Sequence, residues 1–443
     1  MKKTIFLFIF LNIIFSGYTQ KAQGGGTGYT ASGITKYNES DFEGAIADLT
    51  LALKQNSRDT LAIAYLAASR IELKDYDAAL ADAEKLIAIN PHSADGYFYK
   101  GEAEARLGAY KNALADDTRS IQISPSSMAY NNRGTAKSFL GDDVGALADY
   151  NTAIDLDPKN AMAYGNRGIL KYDHKRYRSA VADFDTALNI NKEDAWIWSD
   201  RADARYELKD YKGALADYEQ ALTIDPQYGR AYFGKALTED RHLKRSKEAV
   251  RDYTTAIELL GTSANRLSAR GNARSNSYDY QGALADYNAA ISMEPSFAAA
   301  YVDRSDCRHK MGDYKGSIAD CNTAISLDST DETAYFNRAQ AKDSLNDHLG
   351  AIDDYTIAIR LNPGSSISYC ARGEAKAMLK NLQAAIIDYT KAIEVDPENA
   401  EAYYARAKAN IKLKQNGGAC NDLKKALMLD KPEAQELLDK YCK

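Results

Sequence analysis

The sequence predicts an all-α fold, a solenoid of tandem helix-turn-helix repeats closed by a C-terminal capping helix. Three observations predict it. The hexapeptide Gly-Ala-Leu-Ala-Asp-Tyr starts at Gly145, Gly213 and Gly282, with looser copies between and around them. Its acid recurs at Asp48, Asp82, Asp116, Asp149, Asp183, Asp217, Asp252, Asp286, Asp320, Asp354, Asp388 and Asp422, in steps of 33 to 35 residues. A period that regular marks a repeat array. Finally, Pro91, Pro125, Pro158, Pro226, Pro295, Pro363 and Pro397 all fall at one place in the period; a residue that cannot continue a helix ends one there.

The chain starts with an address. Met1-Lys2-Lys3 is basic, Thr4 to Phe15 is apolar apart from Asn12, and Ser16-Gly17-Tyr18-Thr19 supplies mostly small residues suited to cleavage. Residues 1–19 read as a secretory signal. The apolar run is shorter than the roughly 20 residues of a mature spanning helix; an uncleaved anchor is the alternative. No Cys lies near the cut, which speaks against a lipoprotein. Residues 20–28, with Gln23-Gly24-Gly25-Gly26-Thr27-Gly28, read as a flexible linker. The expected product is exported to the periplasm or beyond, with no transmembrane segment in the mature chain.

Residues 29–430 divide into twelve repeats. In Ala129 to Pro158, Tyr130, Gly134 and Ala136 stand at helical spacing before a break at Leu140-Gly141-Asp142-Asp143. Ala146, Leu147, Tyr150, Ala153, Ile154 and Leu156 follow at three- and four-residue steps. This is the pattern of two amphipathic helices joined by a tight turn. One first-helix position is always small (Gly101, Gly134, Gly168, Ala202, Ala236, Gly271), and so is its counterpart on the second helix (Ala146, Ala180, Ala214, Ser317), so the two backbones can pack closely. Residues 431–443 form the cap: Lys431-Pro432 opens an amphipathic helix with Ala434, Leu437, Leu438 and Tyr441 on one face, the polar-backed end a solenoid needs.

An early aromatic, a small residue four later, a turn, Ala and an aromatic on the second helix, and a closing Pro together resemble the tetratricopeptide repeat, from about Tyr29 to Asp430. The resemblance implies a right-handed α-solenoid whose first helices line a concave groove that binds a peptide or a protein. The chain departs from that family where a Leu is usual: it has Lys100, Arg133, Arg167, Arg201, Lys235, Arg270, Arg304, Arg338, Arg372 and Arg406. Most of these precede the recurring Asp by 16 residues and follow the previous one by about 18. A charge on a packed face is costly unless paired. The spacing therefore predicts a ladder of partly buried pairs in which a cation on each first helix faces an acid on a neighbouring second helix: Arg133, Arg167, Arg201, Arg270, Arg304, Arg338 and Arg372 with Asp149, Asp183, Asp217, Asp286, Asp320, Asp354 and Asp388. A solvated charged stripe is the alternative.

Composition and motifs narrow the function. Net charge is −6, or −8 once Lys2 and Lys3 leave with the signal, which argues against a nucleic-acid partner. No HExxH, GxSxG, SxxK, P-loop or GxGxxG arrangement occurs, so no catalytic site, cofactor or metal is expected. Cys307 and His309, two apart on a helix, face different ways and do not form a metal site with Cys321. In an oxidising compartment Cys420 and Cys442 would bridge the last hairpin to the cap. Cys307 with Cys321 is a weaker pair, and Cys370 reads as a small buried hydrophobe. The carboxylate-clamp pattern of the family, a Lys followed four residues later by Asn, is missing; Ser268 precedes Asn272.

Two first-helix series change from repeat to repeat while the frame stays constant: Phe98, Asn131, Gly165, Ser199, Phe233, Ser268, Val302, Phe336, Cys370, Tyr404, and Glu102, Thr135, Ile169, Asp203, Leu237, Asn272, Asp306, Gln340, Glu374, Lys408. By the resemblance these line the groove, and their variety reads as recognition of a particular partner or as drift. Tyr172, Trp196, Tyr206 and Phe233 map to groove positions of the fifth to seventh repeats and are the expected anchors; the alternative for Trp196 is packing between repeats. Lys175, Arg176 and Arg178 occupy one interhelix turn and Arg241, Lys244 and Arg245 another, either as a basic edge patch for an acidic partner or anionic envelope surface or as ordinary solvated turns. The favoured reading is a non-catalytic interaction scaffold of the cell envelope. An envelope enzyme or glycan-binding protein, with Asp203, Asp306 or Glu374 as acids, is the runner-up, and an architectural spacer the third.

Overall fold

A computed structural model describes residues 28–442. The expected signal and most of the linker lie outside these residues. The described chain is helical throughout, without a strand, and divides into two compact units after Thr238.

In the first unit α1 (Gly28–Asn38) and α2 (Phe42–Gln55), α3 (Thr60–Glu72) and α4 (Tyr76–Ile89), α5 (Ala94–Arg106) and α6 (Tyr110–Ile123), α7 (Ser127–Phe139) and α8 (Asp143–Leu156), α9 (Ala161–Asp173) and α10 (Tyr177–Ile190), and α11 (Ala195–Glu207) and α12 (Tyr211–Ile224) form hairpins. The division falls within α13 (Gly229–His242), which precedes α14 (Ser246–Leu260). The second unit continues with α15 (Ala264–Asn276) and α16 (Tyr280–Met293), α17 (Ala298–Lys310) and α18 (Tyr314–Leu327), α19 (Glu332–Ser344) and α20 (His348–Leu361), α21 (Ser366–Met378) and α22 (Leu382–Val395), and α23 (Ala400–Lys412) and α24 (Asn416–Met428), and ends with α25 (Ala434–Tyr441).

The repeated hexapeptide has a local cause at each letter. Its Gly is the third residue of the second helix, and its N–H donates to the capping Asp three residues earlier, as Gly145 does to Asp142 at 2.9 Å. A Cβ there would lie 2.1 Å from the Asp142 carboxylate oxygen, so a side chain would push that carboxylate aside from its present position. Two second helices carry Ala at that place: Ala78 follows Asp75, which makes no side-chain cap, and Ala384 still donates to Asn381, at the longer distance of 3.3 Å. Ala146, Ala180 and Ala214 are wholly buried. The Tyr lies flat on the small first-helix residue: a Cβ on Gly134 would meet the Tyr150 ring at 2.8 Å, and one on Gly271 the Tyr287 ring at 2.6 Å. A side chain on either glycine would have to move the ring, and the same place takes Ala202 under Tyr218 and Ala339 under Tyr355, so it calls for a small residue.

Within each unit successive first helices touch: α3 with α5, α5 with α7 and α7 with α9 in the first unit, α15 with α17 and α17 with α19 in the second. Contacts between successive second helices are less extensive than these. The stack is therefore tighter along its first helices, which form the inner wall of each unit. At the end of the second unit Ala434, Leu437 and Leu438 pack on Ala407, Leu423 and Ala426, and a disulfide joins Cys420 to Cys442. Cys307, Cys321 and Cys370 are free buried thiols. The weaker expected pair is thus not formed: Cys321 fills the place that Tyr287 and Tyr355 take in neighbouring hairpins, and Cys307 the place of Ala273 and Ala341, each as a packing residue.

Candidate functional site

The charged residues of the frame come first, because they set which surface is left over. In eight hairpins an Arg of the first helix grips the recurring Asp in fork geometry. Nε donates to one carboxylate oxygen at 2.8–2.9 Å and Nη2 to the other at 2.6–2.7 Å, for Arg133, Arg167, Arg201, Arg270, Arg304, Arg338, Arg372 and Arg406 with Asp149, Asp183, Asp217, Asp286, Asp320, Asp354, Asp388 and Asp422. All eight carboxylates are buried. The expected geometry needs correcting on one point: the carboxylate belongs to the Arg's own hairpin. The link to the preceding hairpin is made by Nη1, which donates at 2.6–3.3 Å to a side chain two residues past that hairpin's Asp: Asn151, Asp185, Thr254, Asn288, Asn322, Thr356 and Thr390 in turn from Arg167 to Arg406.

Two further partners complete the arrangement. A second cation one turn along the same first helix reaches the same carboxylate at 2.6–2.8 Å: Lys137, Lys171, Arg205, Arg274, Arg308, Lys342 and Lys376. The guanidinium also stacks near the aromatic ring three residues earlier, 5.1 Å for Arg133 over Tyr130 and 4.5 Å for Arg201 over Trp198. These bonds, more than burial opposes them, raise the Arg133 guanidinium above its ordinary value, Asp149 being the chief cause. The second cation was legible as a Lys or Arg four residues after the frame Arg, on one face of the helix.

The expected anchors of the first unit's inner wall lie on α9, α11 and α13. Tyr172 and Tyr206 are half-buried, each braced by the first residue of its own second helix: Tyr172 on Tyr177 at 5.4 Å and Tyr206 on Tyr211 at 5.5 Å. Phe233 is half-buried on α13. Trp196 differs from its expected role as an exposed anchor. It is 5 % exposed and packs with Ile169, Phe184 and Ile197. A Cβ on Gly165 would come within 3.3 Å of its ring, so Gly165 is small to admit the indole of the next repeat.

The same correction applies to the first variable series: Asn131, Ser199, Ser268, Val302 and Cys370 are buried, and their variety matches one first helix to the next. The second series is nearer solvent, with Glu102, Asp203, Asn272 and Asp306 half-buried and Glu374 and Lys408 exposed, though Thr135 and Ile169 are buried. The tyrosines beneath it reach several members by their hydroxyls: Tyr218 donates to Asp203 and Tyr287 to Asn272.

At Asp203 the structure gathers residues from three helices. Arg230 of α13 lies 3.2 Å from Asp203 and 3.4 Å from Asp200, both on α11. Burial raises the Asp200 carboxyl to about 7 against the pull of Arg230, with Asp203, Asp194 and Asp173 adding to the rise. Burial likewise raises Asp203, opposed by Arg230 and by the Tyr218 hydroxyl. Arg230 and Asp200 were not legible as a pair, because their meeting depends on how one repeat sits on the next. A guanidinium between two carboxylates, on the helices that also carry Tyr206 and Phe233, can exchange hydrogen bonds with a docked segment.

The basic turns have a backbone explanation. Lys175 and Lys244 hold φ of 58° and 54°, in the left-handed region, the turn place also held by Lys74, Lys209, Lys380 and Lys414. Lys175, Arg176 and Arg178 are exposed between α9 and α10, and Arg241, Lys244 and Arg245 are exposed at the α13–α14 turn. Among the described residues no group of three or more His, Cys, Asp or Glu is placed to hold a metal ion, and no helix is long and apolar enough to cross a membrane.

Hairpins of this length, stacked with their first helices inward, define an α-helical repeat solenoid, a class built for protein contacts. Tetratricopeptide repeat models match residues 60–127, 129–160, 195–228, 268–332 and 400–432, and a TPR repeat model matches 379–414. The chain belongs to the tetratricopeptide repeat family. No curated protein matches it in sequence. Similar solved structures include the APC/C hetero-tetramer Cut9-Hcn1 (12% identity, TM-score 0.48, 93% of this chain and 95% of that one) and yeast Tom70 (16% identity, TM-score 0.46, 92% and 93%). A third is YrrB, described as a TPR protein with an unusual peptide-binding site (19% identity, TM-score 0.35, 42% of this chain and 95% of that one).

Proposed function

We propose that this protein is a non-catalytic interaction scaffold of the cell envelope that holds an extended peptide or protein segment against the first-helix wall of its first unit. One observation carries the reading: the Arg, the Asp and the second cation of the frame are consumed in holding the stack, whereas Tyr172, Asp203, Tyr206, Arg230 and Phe233 stand at places whose residue changes along the array and remain partly open to solvent. Rings braced in this way present large apolar area at little entropic cost, which suits anchors of a binding surface. The disulfide between Cys420 and Cys442 supports an oxidising compartment and with it the export expected from the basic and apolar start of the sequence.

The test is capture of partners from the envelope fraction by the mature protein, with Tyr172→Ala and Tyr206→Ala variants beside it. Partners retained by the parent and lost from both variants are expected. Partners retained equally by all three proteins would overturn the assignment of this wall.

A further inference from the structure

Beyond its rings, the inner wall of the first unit carries negative charge that its own residues do not balance. On α11, Asp200, Asp203 and Glu207 lie at spacings of three and four residues, on one helix face. Among the described residues Arg230 is the cation bonded to Asp200 and Asp203. The pattern returns further along the wall. Glu72 ends α3, which touches α5, the helix of Glu102; burial and the charge of Glu102 raise Glu72 to about 7, with Arg106 opposing. Arg106 stands 3.5 Å from Glu102, and the one guanidinium opposes the charging cost of both carboxylates.

A second observation at that place is independent of surface charge. Asp117 of α6 is wholly buried and neither carboxylate oxygen has a hydrogen-bond partner. It occupies the position held by Tyr150, Phe184, Tyr218, Tyr253, Tyr287, Tyr355 and Tyr389 in other hairpins, and lies against Gly101, the residue before Glu102, where a Cβ would come within 2.7 Å of its oxygen. A cation arriving at Glu102 would find a further acceptor behind it. In the second unit two of the matching acids are satisfied internally, Asp306 by Lys310 at 2.7 Å and Asp303 by Ser268 and Asn272 at 2.8 and 3.1 Å, and Glu374 lies within the field of Lys408 and Lys431.

We propose that the first unit takes an extended basic segment of a partner protein, laid across its first helices so that one cationic side chain meets Glu72 and Glu102 and another meets Asp203 and Glu207. The proposal rests on the scaffold reading and names the chemistry of what the scaffold holds. First helices of adjacent hairpins stand about 10 Å apart, so the two acidic places are some 30 to 40 Å apart, about 10 to 12 residues of extended chain. Tyr172 and Tyr206, near the second place, offer rings to the aliphatic stem or the charge of a Lys or Arg.

The experiment measures fluorescence anisotropy of labelled peptides of about 12 residues, one alternating Arg with Ser, one Glu with Ser and one Ala with Ser, on the full mature chain. The Arg peptide is expected to bind, and to weaken as salt rises from about 50 to about 200 mM. Asp203→Asn with Glu207→Gln, and separately Glu72→Gln with Glu102→Gln, are each expected to weaken it about tenfold, in variants whose helical circular dichroism and melting match the parent. Asp77→Asn with Asp155→Asn removes the same charge from exposed second-helix positions and is expected to leave binding unchanged. An equal loss from that control pair would overturn the proposal in favour of bulk charge. Binding of the Glu or Ala peptide as tight as that of the Arg peptide, released by Tyr206→Ala, would overturn the charge assignment and leave the scaffold reading standing. No binding by any peptide would overturn the charge assignment too, with the scaffold reading judged separately by the envelope capture.

Discussion

Asp286→Asn puts the frame to its hardest test. The parent carboxylate is 4 % exposed and accepts three charge-assisted bonds, from Arg270 Nε at 2.9 Å, Arg270 Nη2 at 2.7 Å and Arg274 Nη1 at 2.8 Å. An amide of the same shape keeps one acceptor and turns an N–H donor toward a guanidinium, leaving two cations without a counter-charge. Breaking one partner of a buried pair costs about 3–5 kcal/mol. The Arg270 and Arg274 side chains keep 16 and 23 % exposure, so water recovers part of that, and the expected loss is about 3 kcal/mol at the low end of the range. An exposed pair supplies the control: Glu394→Gln, beside Lys391 on the surface, should cost about 0–1 kcal/mol. The assay is urea unfolding followed by helical circular dichroism, with hydrogen exchange of α15 and α16 as the local readout, since neighbouring repeats hold one another and distant ones do not. If Asp286→Asn unfolds at the same urea concentration as Glu394→Gln, the buried ladder contributes nothing that a surface pair does not, and the reasoning fails.

Trp196→Ala should cost about 3–5 kcal/mol in thermal or urea melts, because the indole is 5 % exposed beneath Gly165; a variant as stable as the parent would return Trp196 to the surface. Burial pushes Asp117 well above the ordinary carboxylate range, with Glu102, Asp116 and Glu104 adding and Arg133 opposing. The folded state therefore keeps a proton that the unfolded chain releases near pH 4, so this group's stability is full below about pH 4 and declines as pH rises toward its folded value. Asp117→Asn should remove that decline and melt above the parent at about pH 8, with the gap closing toward about pH 4; a gap that widens on acidification would contradict the sign. Cys442→Ser opens a loop of 22 residues and should loosen the cap by about 3 kcal/mol on the chain-entropy account, read as faster proteolysis of α25 with the preceding hairpins intact.

What was legible in the sequence was whatever packing forces to recur. The hairpins, the small residues under Tyr150 and Tyr287, and the fork between Arg270 and Asp286 repeat because each backbone approach repeats, so a single chain carries its own comparison. The second cation at Lys137 or Arg274 obeys the same period and could have been read from it. Asp117 and Cys321 were visible as breaks in an aromatic column, but only burial gives the breaks their meaning. Trp196 was misplaced because its side chain is received by Gly165 of the preceding hairpin, 31 residues earlier in the sequence; position on a helix fixes a face, and the neighbour decides whether that face is covered. Arg230 with Asp200 and Asp203 belongs to the same class, a contact between adjacent hairpins at residues that occur once. The first 27 residues, with the expected signal, lie outside the described chain.

The ladder also explains how an array so rich in alanine keeps its register. Ala146, Ala180, Ala214 and Ala283 present nearly flat, interchangeable surfaces, against which a neighbouring hairpin could slide by a turn at small cost in buried area. A guanidinium has no such freedom. Arg304 reaches Asp320 with Nε and Nη2, Asn288 of the preceding hairpin with Nη1, and the Tyr301 ring with its face at 5.4 Å, and a slide of one turn would break the bond to Asn288 while leaving Asp320 paired. Because a buried ion pair is seldom worth more than a well-packed apolar replacement, the selective value of the Arg lies in that directional bond. Replacing Asn288 by Ala should then cost less in stability than losing Asp320 and more in the uniqueness of the stacking, visible as broadened amide resonances in α16 and α17 while the hairpin of α17 and α18 stays folded.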